Sequence, residues 1–466
     1  MTNESRVLAQ LDAHFDRYLE DTLESIRRPS VSMTGEGLGD MASWLVDYLA
    51  QTGVSARLRP GTVAPFVEGE LAAEPAAPRL LFYELYDTQP AAPEGWRVPP
   101  FEPEVVDDGD GARIIGRGAF NSKGPLMAFL TVLRAFREAG VRVPVAIRLL
   151  IEGEEEIGSP SLARYVEEHH AELAACDAAF LPYPSTNGNG ETVIRLGFKG
   201  LVLLELAVEG GAWGGPAAFD VHAMHTAWID NPVSELIRAL ASLQGEHGEL
   251  AIDGLAQRLM PPSKEDLRLI RDAAATLDTR SWLRELGAKR FRVDDPEELF
   301  RRFCFSPTLN VDAMDAGRLR AGEEPATLMA RRAAAHVDVR LVPGLEVAGT
   351  LELLRAHLHR RGLEHVSIRV KNAYPSSKTS VNERVIQSLI AGCRSHSERV
   401  AAIPLHAGAA PMHLFTDSLG LPFAFGGVGH GGRSHAPNEY LMLDGFRSLQ
   451  RSIVSFLFDF GRSARA

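Results

Sequence analysis

Residues 79–87 read RLLFYELYD, an apolar run that closes on an acid, and the same design returns twice downstream. VPVAIRLLIEGEEEIGS (143–159) ends on three adjacent glutamates, and CDAAFLPYP (176–184) ends beside Tyr183. Between these runs, GPLMAFLTVLRAFREAG (124–140) and SLARYVEEHH (161–170) carry apolar residues at helical spacing. Continuous apolar strands alternating with such helices predict an α/β domain whose mostly parallel sheet is covered on both faces. Ligands of such sheets bind beyond the carboxyl ends of the strands. The expected site therefore draws on Asp87, on Glu154 to Glu156 and on Tyr183.

The pattern changes after GFKG (197–200), which reads as a turn. LVLLELAVEGG is a strand, NPVSELIRALASL a helix, AAAHVDVRLVPG a strand and EVAGTLELLRAHLHRRG a helix, the signature of an α+β insert. Residues 1–200 and 380–466 are assigned to the discontinuous α/β domain and 201–379 to the insert. The charged, helical stretch from Gly245 to Phe305 is expected to decorate that insert.

The bulk numbers set limits. With 466 residues, 45% of them hydrophobic, the chain is long enough for two cores. Its 49 basic against 61 acidic residues give a net charge of -12, which offers no attraction for nucleic acid or an anionic membrane. A small molecule is the better partner. The N-terminal stretch is a polar amphipathic helix without an apolar leader, and no run approaches the roughly 18 apolar residues of a membrane span. A cytoplasmic location is the expectation. Cys176, Cys304 and Cys393 are widely spaced and odd in number, so they suggest buried core residues rather than a disulfide framework.

Seven segments point to a family. LLFYELYDTQP, GWRVPPFEP, GRGAFNSKG, EGEEEIGS, DVHAMHTAWIDNP, VRLVPG and HAPNEY resemble, in order and spacing, the di-zinc amidohydrolases and metallopeptidases that include carnosine dipeptidase, acetylornithine deacetylase and succinyl-diaminopimelate desuccinylase. The resemblance covers nearly the whole chain. It implies a catalytic domain whose two zinc ions share one aspartate, with an inserted lid that mediates dimerisation. Zinc would acidify the bridging water and polarise the amide carbonyl.

Carried over residue by residue, the resemblance implies that Glu155 is the general base, Glu156 the ligand beside it and His435 the late histidine ligand. His222 matches a lid histidine that reaches the partner subunit's site. Arg340 and Asn310 match lid positions that help hold a substrate carboxylate or oxyanion. The departures are as informative. Leu85 stands where the family has a histidine, Asn121 where it has the bridging aspartate, Tyr183 where it has a further aspartate, and Ala409 in an altered glycine-rich turn. Leucine has no lone pair to give, tyrosine is protonated at neutral pH, and an amide oxygen replaces a bridging carboxylate poorly. No cofactor is expected, or at most one weakly held zinc on Glu156, His435 and Asn121, with His225 or His430 as further candidates.

Three readings stay open. The first is an enzyme that has lost the di-zinc centre and uses Glu155, desolvated by Leu85, Phe120 and Tyr183, for metal-independent acid–base chemistry. Its substrate would resemble an amino acid, a peptide or an acyl amide. Glu156, Tyr183, His222 and His435 would complete the site, and Arg340, Asn310 and Asn121 would bind substrate. The second is a hydrolase with one metal. The third is a non-catalytic binding protein that keeps the fold and the lid homodimer. For Asp87 and Lys123, bracing of the loops is the simpler expectation.

Overall fold

A computed structural model describes residues 1–316 and 327–462. The three apolar runs form neighbouring strands. Arg79–Leu85 lies at the centre of a six-stranded sheet, pairing in parallel with Ala146–Glu152 on one side and Ala178–Pro182 on the other. Phe423–Gly426 extends the parallel set beyond Ala178–Pro182, and the hairpin Ser55–Arg59 with Phe66–Leu71 closes the opposite edge antiparallel.

The chain leaves Arg79–Leu85 through the helix Lys123–Glu138 and enters the strand on one side. It leaves Ala178–Pro182 for a strand on the other. Connections that depart in opposite directions open a crevice at the strand ends between them. Leu85 and Tyr183 stand at that opening. Fully buried Phe82, Phe129, Phe180 and Phe456 seal one face of the sheet against the helices Lys123–Glu138 and Leu443–Arg462. Cys176, Cys304 and Cys393 are all buried, and among the described residues no helix is long and apolar enough to cross a membrane.

The insert is built around a single long strand, Gly197–Glu209, at the middle of an antiparallel sheet with Thr308–Asp315, Arg332–Leu341 and Ser367–Tyr374. The helices Pro232–Ser242 and Val347–His359 cover its apolar face through Leu236, Leu240, Leu354 and Leu358. GFKG is not a turn. It is the first part of this strand, where Gly197 and Phe198 pair with Ser377–Lys378 and with His406 before the strand enters the lid sheet. A side chain at Gly197 would put its Cβ 2.1 Å from the Ser377 carbonyl oxygen, so the glycine serves close strand approach rather than chain reversal.

The stretch from Gly245 to Phe305 meets expectation only in its first part, where Ile252 and Leu255 pack into the lid core. Lys264–Thr276 and Pro296–Phe305 do not decorate the lid sheet. Their Ile270, Ala273, Phe300 and Cys304 pack on Val193, Ala401, Ile403 and Leu405, from the parallel ribbon Glu191–Arg195 with Arg399–Ile403 and the loop after it, beside the strand ends. The reason lies in the amphipathic pattern, which announces an apolar face and says nothing about which partner will cover it. Phe300→Ala, at a fully buried position, should cost about 3–5 kcal/mol. Limited proteolysis should then cut first between residues 264 and 305, with the lid sheet left intact.

Candidate active site

The short helical turn Glu155–Ile157 follows the strand Ala146–Glu152, and Asp87 fixes it. The Asp87 carboxyl accepts the backbone N–H of Glu155 at 3.2 Å and of Glu156 at 3.0 Å, which binds the ends of two parallel strands together. Burial raises the Asp87 pKa to about 7. Lys123 is buried nearby and donates to the Arg28 carbonyl, and burial lowers its pKa to about 7. Both residues brace the site's loops.

Glu156 sits in a closed polar cluster. Asn121 Nδ2 donates to its Oε1 at 2.7 Å, Gln89 Nε2 donates to its Oε2 at 2.9 Å, and His435 Nε2 lies 3.1 Å from the same Oε2. Asn121 Nδ2 and His435 Nε2 are 3.3 Å apart. The hydrogen bond to Glu156 is the main cause of a raised His435 pKa. Glu439 holds the Asn121 loop by accepting the N–H groups of Phe120 and Asn121 at 3.0 and 2.8 Å, while Arg117 pairs with its other oxygen at 2.7 Å. Two residues here adopt left-handed backbone, Ser122 at φ 83° and His435 at φ 62°. Such conformations are costly for residues with a side chain and persist where the surroundings enforce them.

Glu155 lines a cleft of about 570 Å³ whose walls also include Leu85, Phe120, Asn121 and Tyr183. Burial is the first cause of a pKa well above the usual carboxylate range, and the charges of Glu156, Asp87 and Glu152 add to it. Among the described residues no side chain hydrogen-bonds to its carboxyl. The Tyr183 ring lies edge-on to Phe120 at 5.1 Å and stacks on Phe425 at 5.0 Å. Burial raises its pKa, and a hydrogen bond with Ser434 works against that rise.

The remaining candidates lie apart. Arg340 pairs with Asp338 at 2.5 Å and Asn310 donates to Asp312 at 2.5 Å, both on the lid sheet and neither lining the cleft. His222 is exposed on the lid, where its Nδ1 accepts the Met224 N–H. His225 packs on Trp228, also in the lid. His430 lines the cleft, but Nδ1 meets the Thr186 carbonyl at 2.9 Å and Nε2 the Tyr440 hydroxyl at 3.4 Å. Ala409 lines the cleft as well.

Sequence reasoning missed Gln89, Glu439 and the aromatic wall of Trp282 and Phe303. Gln89 and Glu439 stand inside the quoted motifs, so their polar character next to candidate ligands was a usable signal. Nothing in the sequence brings Trp282 to the cleft.

A two-zinc centre needs a bridging carboxylate and donor atoms with free lone pairs converging on each ion. Here the matching positions hold Leu85, Asn121 and Tyr183, and N–H groups already occupy the oxygens of Glu156. Among the described residues no group of three or more His, Cys, Asp or Glu side chains is placed to hold a metal ion. This donor set does not fit the two-metal centre.

Glu152 is buried beneath the turn, accepting from Tyr83 and from Ser159 at 2.7 Å, and burial lifts its pKa from 4.5 to about 8 despite those bonds. A carboxyl protonated more readily in the folded chain contributes fully below its unfolded pKa and loses that contribution as pH rises through the folded one. Thermal stability should therefore fall as pH rises from 4.5 to about 8, and Glu152→Gln should flatten part of that slope in melting curves.

Residues 81–459 match the profile described as Peptidase family M20/M25/M40. The Schizosaccharomyces pombe Cys-Gly metallodipeptidase dug1 is 26% identical over 298 residues, 63% of this chain and 60% of that protein. Human Beta-Ala-His dipeptidase is 26% identical over 307 residues, 64% of this chain and 56% of its own length. The aligned stretches thus span little more than half of these relatives. Among solved structures, the M20 family metallo-carboxypeptidase Sso-CP2 from Sulfolobus solfataricus superposes with a TM-score of 0.86 at 29% identity, covering 96% of this chain and 99% of that one. Human carnosine dipeptidase 1 shares the fold with a TM-score of 0.82 at 19% identity, covering 99% of each chain. With the parallel sheet, the separate antiparallel lid sheet and the seven segments in register, the chain belongs to peptidase family M20/M25/M40.

Proposed function

We propose that this chain is an M20-family enzyme whose cleft carries out metal-independent acid–base chemistry on an amino-acid-, peptide- or acyl-amide-like substrate. Glu155 transfers the proton. The observation that carries this reading is the division of labour between the two glutamates: Glu156 is saturated by Asn121, Gln89 and His435, whereas Glu155 is left without a side-chain partner in an apolar-walled cleft. A carboxyl so placed holds its proton above the usual carboxylate range, the direction a general acid or base at the cleft requires. Tyr183 lines the same cleft as a neutral hydroxyl, able to donate a hydrogen bond to charge that develops on the substrate. Lyase, isomerase, cyclisation and acyl-transfer reactions are open to such a site.

The deciding experiment screens dipeptides and N-acyl amino acids by mass spectrometry, with and without a chelator, beside elemental analysis of the dialysed protein. Turnover should survive the chelator, and Glu155→Gln should lower it by about 100-fold or more. Activity that requires tightly bound zinc would overturn the reading, and binding without turnover would make the chain a ligand-holding relative. Leu85→His, Asn121→Asp and Tyr183→Asp together should recover about two zinc ions per chain if only the ligands have changed.

We also assign homodimerisation to the lid. Phe219, Met224 and Trp228 are 61 to 70% exposed and surround His222 in sequence, and Leu328 pairs with His222 across the short ribbon. Apolar surface gathered in this way marks a protein contact. His222 does not line the cleft of its own chain, and such a pairing is the route by which it would meet that of a second copy. Trp228→Asp should convert dimer to monomer in sedimentation velocity.

A further inference from the structure

Arg195 ends the strand Glu191–Arg195 and lines the cleft beside Ser185 and His406. Its polar contacts are sparse. Nη1 reaches Ser185 Oγ at 3.4 Å and the Val193 carbonyl at 3.5 Å, both at the long limit of hydrogen bonding, and no carboxylate pairs with it among the described residues. Three other inward guanidinium groups are compensated by carboxylates. Arg117 meets Glu439 at 2.7 Å, Arg134 meets Asp21 at 2.6 Å, and Arg148 meets Glu68 at 2.5 Å.

The surroundings of Arg195 add positive charge. Arg340 and Lys199 both act on His406 together with it, and burial with these three cations holds the imidazole neutral, its pKa pushed down to about 3. Arg340 has Asp338, and Lys199 has the Ser306 carbonyl at 2.8 Å. The Gly408 N–H donates to His406 Nδ1 at 3.0 Å, which leaves the ring proton on Nε2. Phe198 and Phe303 stand edge-on to that imidazole at 5.7 and 6.1 Å, and Trp282 packs on Phe303 at 5.8 Å. A cation held in such apolar surroundings without a counter-charge is costly, and an incoming anion removes that cost.

We propose that Arg195, with Ser185 and His406 beside it, forms an oxyanion-binding site in the cleft wall. It takes the carboxylate or phosphate of a ligand whose apolar part lies against Trp282 and Phe303. The guanidinium fork suits either oxyanion through paired N–H bonds. The site narrows the substrate class proposed above, resting on the cleft being the working site, to molecules that carry an anion beside an apolar body. It differs from the lid arginine Arg340, which acts on the same His406 but has Asp338 as its counter-charge.

Direct binding tests this without requiring turnover, so it stands or falls separately from the chemistry assigned to Glu155. N-acetyl-L-phenylalanine, its neutral carboxamide and phenyl phosphate serve as probes, with uptake by the full chain read through calorimetry and Trp282 fluorescence. The wild-type protein should prefer an anionic probe to the carboxamide by about tenfold or more. Arg195→Gln should erase that preference, and Arg238→Gln, on the outer lid helix where Arg238 pairs with Glu235, should keep it. The tighter of the two anionic probes identifies the oxyanion. Arg195→Lys keeps the charge but loses the fork and should bind more weakly than wild type; if Arg195→Gln does not fold, undiminished uptake by Arg195→Lys overturns the proposal. Equal uptake of charged and neutral probes by the wild type, an unchanged preference in Arg195→Gln, or loss of preference in Arg238→Gln would each overturn it.

Discussion

Two backbone N–H groups donating to one buried carboxyl hold this site together. Asp87 follows the central strand, Glu155 and Glu156 follow its neighbour, and their contact locks two strand ends at the point where the sheet opens. Beyond the lock the two glutamate side chains meet different surroundings. One enters a polar cluster with Asn121 and His435, and the other enters the cleft. Everything proposed for Glu155 depends on that divergence. Without the brace, two adjacent acids on a loop would turn toward water and lose the environment that sets their chemistry.

The chain shares its family's scaffold but not the chemistry of its donor set. Where the resemblance implies a histidine and two aspartates, Leu85, Asn121 and Tyr183 add no negative charge. Asn121 serves as a donor to Glu156, a role an aspartate would reverse into repulsion. Tyr183 is held between Phe120 and Phe425, which spend its ring on packing and leave its hydroxyl to Ser434. The substitutions therefore support one another physically. Membership in a family fixes the scaffold, while function has to be argued from such particulars.

Much of the fold was legible because periodicity is a local property. The alternation of strands and helices around Arg79–Leu85 and the helices of the lid follow directly from the spacing of apolar residues. The expectation of a site beyond the carboxyl ends of the strands came from general rules of parallel sheets. What escaped was pairing between distant segments. GFKG looked like a turn because glycines make turns, yet Gly197 is there because the Ser377 backbone passes close by. The helices between residues 264 and 305 showed an apolar face, but the ribbon that covers it is formed by residues 191–195 and 399–403. Likewise Glu155, Glu156 and Asn121 could be nominated from motifs, whereas the isolation of Arg195 emerges only once its acid-free neighbourhood is assembled.

The strand Gly197–Glu209 belongs to both halves of the molecule. Its first residues pair with Ser377–Lys378 and His406, with the Phe198 side chain in the cleft wall, and the rest runs through the middle of the lid sheet. Hydrogen-bonded strands resist bending within their own length, so no free hinge separates the two halves along this path. Tilting the lid must rock Phe198 and Lys199 with it. The strand behaves as a spar, making the attitude of the lid and the width of the cleft a single mechanical variable.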